Sequence, residues 1–200
     1  MKNTFLVAAA AALGVTALLA VTAISGEGEV KKKTGPPMAP PPPPLQLKAL
    51  DVFVGEWRGE YEHLPSMFGE AATGTGQGKT EWVLDGRFVR GEGTGTSSYG
   101  THRCIWFMTY DPMMQSYRSF SFDNFGTCDV GTMTHDPKTR TWTSLSDGFD
   151  FTTGKPGKNK CTMRFVSSDK MEWHWYMKVE GETDFKLLMR GTDTRLPEKT

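Results

Sequence analysis

The sequence predicts an all-β domain, an antiparallel up-and-down β-barrel of about ten strands with a short N-terminal helix plugging one end. Three observations predict it. From residue 55 onward apolar and polar residues alternate with period two, turn signals such as Asp85-Gly86, Asp111-Pro112 and Asp136-Pro137 recur at strand-length intervals, and no long helical periodicity interrupts them. Closing such a sheet on itself removes its exposed edges.

Ahead of the barrel, Met1-Lys2-Asn3 precedes an uncharged apolar run from Phe5 to Ile24, rich in Ala and Leu. Residues 1–25 therefore read as a signal peptide or membrane anchor: small residues allow cleavage after Ala23 or Ser25, and about twenty apolar residues also suffice to span a bilayer uncleaved. Residues 26–44 form a Pro-rich linker with the unbroken run Pro40 to Pro44, which favours polyproline II over a packed element. The expectation is an exported protein, secreted, periplasmic or tethered to the outer face of a membrane, that meets the membrane only through an uncleaved N-terminal segment. The barrel domain is expected over 45–196, with 197–200 as a tail. Hydrophobic content of 38% and aromatic content of 12% suffice for one core of that size. Lys plus Arg equals Asp plus Glu at 23 each, so no net field exists to attract nucleic acid, and none is expected as a partner.

Leu45, Leu47, Leu50, Phe53 and Val54 fall at roughly helical spacing and form the expected plug. Trp57, Gly59, Tyr61 and His63 then alternate with Glu56, Arg58, Glu60 and Glu62, a half-buried strand with a charged outer face. A two-residue turn at Asp85-Gly86 sets Glu81 opposite Arg90, Lys79 opposite Glu92 and Trp82 opposite Val89, so charge and burial select one register. A three-residue loop Glu180-Gly181-Glu182 would set Glu172 opposite Arg190, Trp173 opposite Met189, Trp175 opposite Leu187 and Met177 opposite Phe185.

If neighbouring strands alternate direction, the side chains sort into two barrel ends. Trp57, Arg190, Arg195 and the plug fall at a closed end. His63, His102, Cys104, Cys128 and Cys161 fall at an open end, with Gly-rich loops expected over 64–77 and 146–159. Gly55-Glu56-Trp57-Arg58-Gly59, Trp82-Val83-Leu84-Asp85-Gly86-Arg87-Phe88-Val89 and Thr109-Tyr110-Asp111-Pro112 with Tyr117 resemble the bacterial family called domain of unknown function 1579, over about residues 47 to 195. The resemblance implies a lipocalin-like, calycin-type barrel and no established activity. It also implies that Trp57 packs under an Arg of the last strand at the closed end, a role it maps onto Arg190.

Three cysteines in an exported chain suggest one disulfide and a leftover thiol, with three possible pairings. A zinc site from these cysteines with His63 and His102 lacks the paired ligand spacings such sites use, so no metal is expected. Nitrobindin-like proteins share the Gly-x-Trp-x-Gly opening and hold haem through a late-strand His. The candidate here, His174, lies between Trp173 and Trp175 and should point outward, so no haem is expected either. His135 reads as a turn residue. Asp123, Asp129, Asp147 and Asp150 read as turn carboxylates, and Thr73-Gly-Thr-Gly-Gln-Gly and Gly91-Glu-Gly-Thr-Gly-Thr as loop and strand bends without the helix a phosphate loop needs. No catalytic residue can be assigned.

Tyr61, Trp82, Trp106, Met108, Met163, Trp173, Trp175 and Met177 should face inward and are the candidate lining of an apolar cavity. The expected function is binding of a small hydrophobic or amphipathic molecule inside the barrel. The alternatives are a haem- or metal-dependent nitrobindin-like enzyme and a solid-core interaction module using the outer face around Ile105, Phe107, Phe120 and Phe122. The oligomeric state is not readable from the sequence.

Overall fold

The computed structural model describes residues 40–66, 69–149 and 154–197, so the apolar leader, most of the linker, Asp150 and the last three residues lie outside the described residues. Ten strands form a closed antiparallel barrel: β1 (Gly55–His63), β2 (Ala72–Val83), β3 (Phe88–Ser97), β4 (Gly100–Asp111), β5 (Ser116–Asp123), β6 (Cys128–Asp136), β7 (Thr141–Phe149), β8 (Pro156–Phe165), β9 (Lys170–Val179) and β10 (Lys186–Arg195). Each strand pairs with its sequence neighbours, and β1 closes on β10 through Trp57↔Arg195 to His63↔Met189.

The β2–β3 hairpin has the register that charge and burial select, with Lys79↔Glu92, Glu81↔Arg90 and Trp82↔Val89. Its reversal is made by Leu84, Asp85 and Gly86, all at positive φ. The β9–β10 register differs from expectation. Because β10 begins only at Lys186, the connection is residues 180–185 rather than three residues, and Glu172 lies opposite Thr192, Trp173 opposite Gly191 and Trp175 opposite Met189. Glu172 pairs instead with Arg164 of β8 at 2.7 Å. A register shift between Leu187 and Met189 tucks Leu188 into the core.

A second correction concerns the glycines. Thr73 to Gly78 and Gly91 to Gly95 are strand, not loop or bend, and their glycines face inward while the intervening residues face out. The reason is steric. A Cβ at Gly91 would lie 2.0 Å from Trp106 Cε2, one at Gly74 2.4 Å from Tyr61 Cζ, and one at Gly191 2.6 Å from Trp173 Cε2. Three aromatic rings therefore lie flat on bare backbone, in contact that any larger residue would block. The expected loops shrink accordingly, since β2 begins at Ala72 and β7 runs to Phe149.

The plug is a 3-10 helix over Leu45–Phe53. Its buried residues Leu47, Leu50 and Phe53 are spaced by three, so they eclipse one another along a single face at three residues per turn. That face meets Trp57, Val89, Met108, Met133, Trp142 and Phe165 in the main core, with Phe53 edge-on to Phe165 at 5.2 Å between ring centres. Four strands fasten the plug's polar groups. Trp57 Nε1 of β1 donates to Phe53 O (2.9 Å), Trp82 Nε1 of β2 to Asp51 Oδ1 (2.8 Å), Tyr117 OH of β5 to Gln46 O (2.9 Å) and Arg195 Nη2 of β10 to Val52 O (2.8 Å).

The arginine over Trp57 is Arg195, not Arg190. The Arg195 guanidinium lies 4.3 Å from the Trp57 ring centre and also donates to Ser168 O. The β1–β10 register puts Arg190 opposite Glu62, on the outer wall, where the two side chains form an ion pair. Replacing Arg195 with Ala is expected to cost roughly 2 kcal/mol, from the lost cation–π contact and two backbone carbonyls left without their donor, whereas Arg190→Ala should cost under about 0.5 kcal/mol. Urea titration separates the two. The same assay should show Gly91→Ala destabilising by about 1–3 kcal/mol, with Gly76→Ala much milder, because the nearest atom to a Cβ at Gly76 is 3.5 Å away.

Candidate functional site

The inner wall has two halves of opposite character. Over β1–β4 the rings of Tyr61 and Trp106 cover glycines. Over β5–β8 the inward positions carry small polar residues, and a cavity of about 200 Å³ remains, lined by Ser119, Ser121, Asp129, Ser144, Ser146, Asn159, Cys161 and Trp175. Glycines create this wall too. Ser119 and Ser144 hydrogen-bond across the intervening strand at 3.2 Å, directly over Gly131, where a Cβ would meet Ser119 Oγ at 2.7 Å. Asn159 lays its amide over Gly148, where a Cβ would stand 2.4 Å from its Nδ2.

Asn159 is 9% exposed, and its Oδ1 is buried with no hydrogen-bond partner. Such an acceptor is costly unless something donates to it. Asp129 is the single charged residue of the lining. Its carboxyl is raised by burial and by the neighbouring charge of Asp123. Asp193, inward on β10 beside Gly59, is also raised by burial, with a hydrogen bond from Trp173 opposing the shift. Asp123 is the last residue of β5, paired with Cys104, rather than a turn residue: burial would raise it, but hydrogen bonds from Thr127, Phe125 and His102 outweigh that and hold it below the usual range.

The cysteines do not pair. Cys104 faces inward on β4, Cys161 faces inward on β8 and Cys128 is exposed on β6, and all three are free. Three strands separate the two inward thiols, whereas a disulfide needs neighbouring Cα atoms with converging Cβ vectors. Burial, together with Asp123, pushes the Cys104 thiol up to about 11, and burial with Asp193 pushes Cys161 up to about 12. Both are thiols at neutral pH, a poor state for a nucleophile or a soft metal ligand. Among the described residues no three His, Cys, Asp or Glu side chains converge as a metal site would require.

The remaining candidates scatter. Of the expected apolar lining, Trp175 alone borders the cavity. Met108 is packed in the main core with Trp82, Trp106 and Met163 around it, while Met177 packs with Val179 and Leu188. His63 stacks edge-on between Tyr61 and Tyr99, with burial lowering its pKa. His102 stacks on Phe125 and lies 3.3 Å from Asp123 Oδ2. His135 is a strand residue rather than a turn residue, inward at the closed end with its ring parallel to Trp142 at 4.3 Å. His174 lies beside Tyr176, at 6.2 Å between ring centres. Outside the barrel, Ile105, Phe122, Val130 and Leu145 are each 41–46% exposed on neighbouring strands.

Sequence reasoning missed Ser119, Ser121, Ser144, Ser146 and Asn159. A signal was present, because Ser-x-Ser recurs at 119–121 and 144–146 with Phe120 and Leu145 between. Once those apolar residues are placed outward, the serines must face in.

A family model described as "Protein of unknown function (DUF1579)" matches residues 43–195. No curated protein matches the sequence. Among solved structures, the barrel is similar to Rv2717c from M. tuberculosis, with a TM-score of 0.57 and 11% identity over 78% of this chain and 100% of that one. It is also similar to the S-type phycobiliprotein lyase CPES from Guillardia theta, with a TM-score of 0.52 and 12% identity over 76% of this chain and 93% of that one. At such identities the likeness is one of fold.

The buried Asp193 makes stability depend on pH with a definite sign. Below the ordinary carboxyl value of 3.8 the group is protonated both folded and unfolded, and its burial carries no charge penalty. As pH rises through the higher folded value, the chain must hold a buried carboxylate, so stability falls. Asp193→Asn should therefore raise the unfolding midpoint at pH 7 and leave it nearly unchanged at about pH 3.5, as thermal unfolding at the two pH values would report.

Proposed function

We propose that this chain, which belongs to the DUF1579 family of proteins of unknown function, is a small-molecule-binding barrel that takes an amphipathic ligand. One observation carries the reading: a cavity of about 200 Å³ inside the barrel, bordered by Asn159, whose buried Oδ1 has no hydrogen-bond partner. Native structures rarely leave a buried acceptor unmatched, and in a polar cavity a ligand is the natural partner. Pockets for drug-sized ligands measure roughly 300–1,000 Å³, so this cavity suits the polar end of a molecule or a small molecule as a whole. Trp175 supplies an apolar wall beside it. The reading includes export, supported by the uncharged apolar run Phe5 to Ile24, with the Pro-rich stretch as a spacer between leader and barrel.

Native mass spectrometry of the full chain tests the reading. A retained organic mass, or saturable quenching of tryptophan fluorescence by small amphipaths, is expected. Ser146→Phe, which fills the cavity, should weaken that binding at least tenfold with the near-UV circular dichroism unchanged. Binding that survives Ser146→Phe would sink the proposal.

A further inference from the structure

We infer that the barrel cavity selects an organic cation, a protonated amine, seated between the carboxylate of Asp129 and the Oδ1 of Asn159 with the Trp175 ring beside it. The inference rests on the binding reading above and adds the charge and chemistry of the ligand.

The lining is sorted by what each group can offer. The serine hydroxyls donate or accept and so select nothing, and two of them, Ser119 and Ser144, already bond to each other. The Cys161 thiol is neutral at physiological pH and a weak partner either way. Asp129 as a carboxylate only accepts, and the unpartnered atom of Asn159 is its acceptor Oδ1, the donor Nδ2 of the same amide lying over Gly148. A ligand that satisfies both must donate, and an ammonium group, with up to three N–H donors and no acceptor, matches this set.

Charge points the same way. The strand register places Asp123, Asp129 and Asp193 on the inner wall with no Lys or Arg beside them among the described residues. Arg195 is held in the closed end by Val52 O and Ser168 O, and Lys186 is at the rim in an ion pair with Glu182. The cations of β8 face outward, Lys158 onto Asp147, Arg164 onto Glu172 and Lys160 over Tyr176, and Lys178 of β9 lies over Phe185. An anion entering the cavity would meet a carboxylate and an amide oxygen with no cation to offset them. A cation would be neutralised by Asp129 and could be attracted to the face of Trp175. A single lining carboxylate offers one negative charge against the two of a calcium ion, and among the described residues no three His, Cys, Asp or Glu side chains converge, which leaves an organic cation as the better match. The volume corresponds to roughly six or seven waters at about 30 Å³ each, room for an ammonium group carrying a short alkyl chain.

The test uses three probes of one size on the full-length chain, n-butylammonium, 1-butanol and butyrate, followed by tryptophan fluorescence and calorimetry at neutral pH. Butylammonium should bind at least tenfold more tightly than butanol, and butyrate should not bind. Asp129→Asn should lose at least tenfold in butylammonium affinity while leaving butanol unchanged, and Asn159→Leu, which removes the second acceptor without touching the charge, should lose several-fold. Butanol or butyrate binding as tightly as the ammonium, or ammonium affinity indifferent to Asp129→Asn, overturns the cation assignment and leaves the cavity reading intact. Failure of all three probes, together with no mass retained in native spectrometry, overturns both.

Discussion

The interior of this barrel is governed by where a Cβ atom is missing. Ten strands enclose more space than a solid aliphatic core fills easily, and the protein meets the excess by laying aromatic rings flat against the wall. Trp106 on Gly91 and Gly93, Tyr61 on Gly74 and Trp173 on Gly191 each depend on bare backbone beneath the ring. These contacts fill the side of the barrel formed by β1 to β4 and by β9 with β10. On β5 to β8 the glycines serve a different purpose, making room for hydroxyls and an amide, and the leftover volume is consequently polar. The asymmetry between a ring-covered wall and a hydroxyl-covered wall creates the cavity and its chemistry together.

The closed end follows another logic, in which apolar burial and directed hydrogen bonds coincide. Leu47, Leu50 and Phe53 supply the apolar face, and indole, phenol and guanidinium donors from four strands hold the helix carbonyls and Asp51 above it. A 3-10 helix of nine residues is long for its kind, since its hydrogen-bond geometry is poorer than that of an α-helix. Here it is maintained from outside, by partners in the barrel rather than by its own propensity. The cavity and the plug lie on different stretches of the barrel, so the plugged end holds the strands that line the cavity without bordering it.

Much of the fold was legible because strands announce themselves through alternation and turns through Asp-Gly and Asp-Pro. The β2–β3 register could be read because the loop is short and two charge pairs agree with one apolar pair. The β9–β10 register could not, because Glu180-Gly181-Glu182 is only part of the connection and the irregularity at Leu187–Met189 leaves no mark in the residue pattern. The two registers differ by an even number of residues along Trp173 to Trp175, which is why both tryptophans still face inward. Arg190 and Arg195 could not be distinguished without that register. The site was harder still. Inward aromatics suggested an apolar cavity, but their rings are spent on glycines, most of which the sequence presented as loop and strand bends, and the residues that do line the space are largely serines and an asparagine of the sort ordinarily assigned to solvent.

The plug has a kinetic consequence. Its nine residues precede every strand, yet one of its ties, from Arg195 to Val52, spans 143 positions and cannot form until the last strand has joined the first. Barrel closure and plug docking are thus a single late event dominated by the most distant contacts in the chain, and proteins built this way reach the native state slowly. The plug, first among the described elements, is the one whose final position waits on the last strand, so its early burial is disfavoured by topology alone.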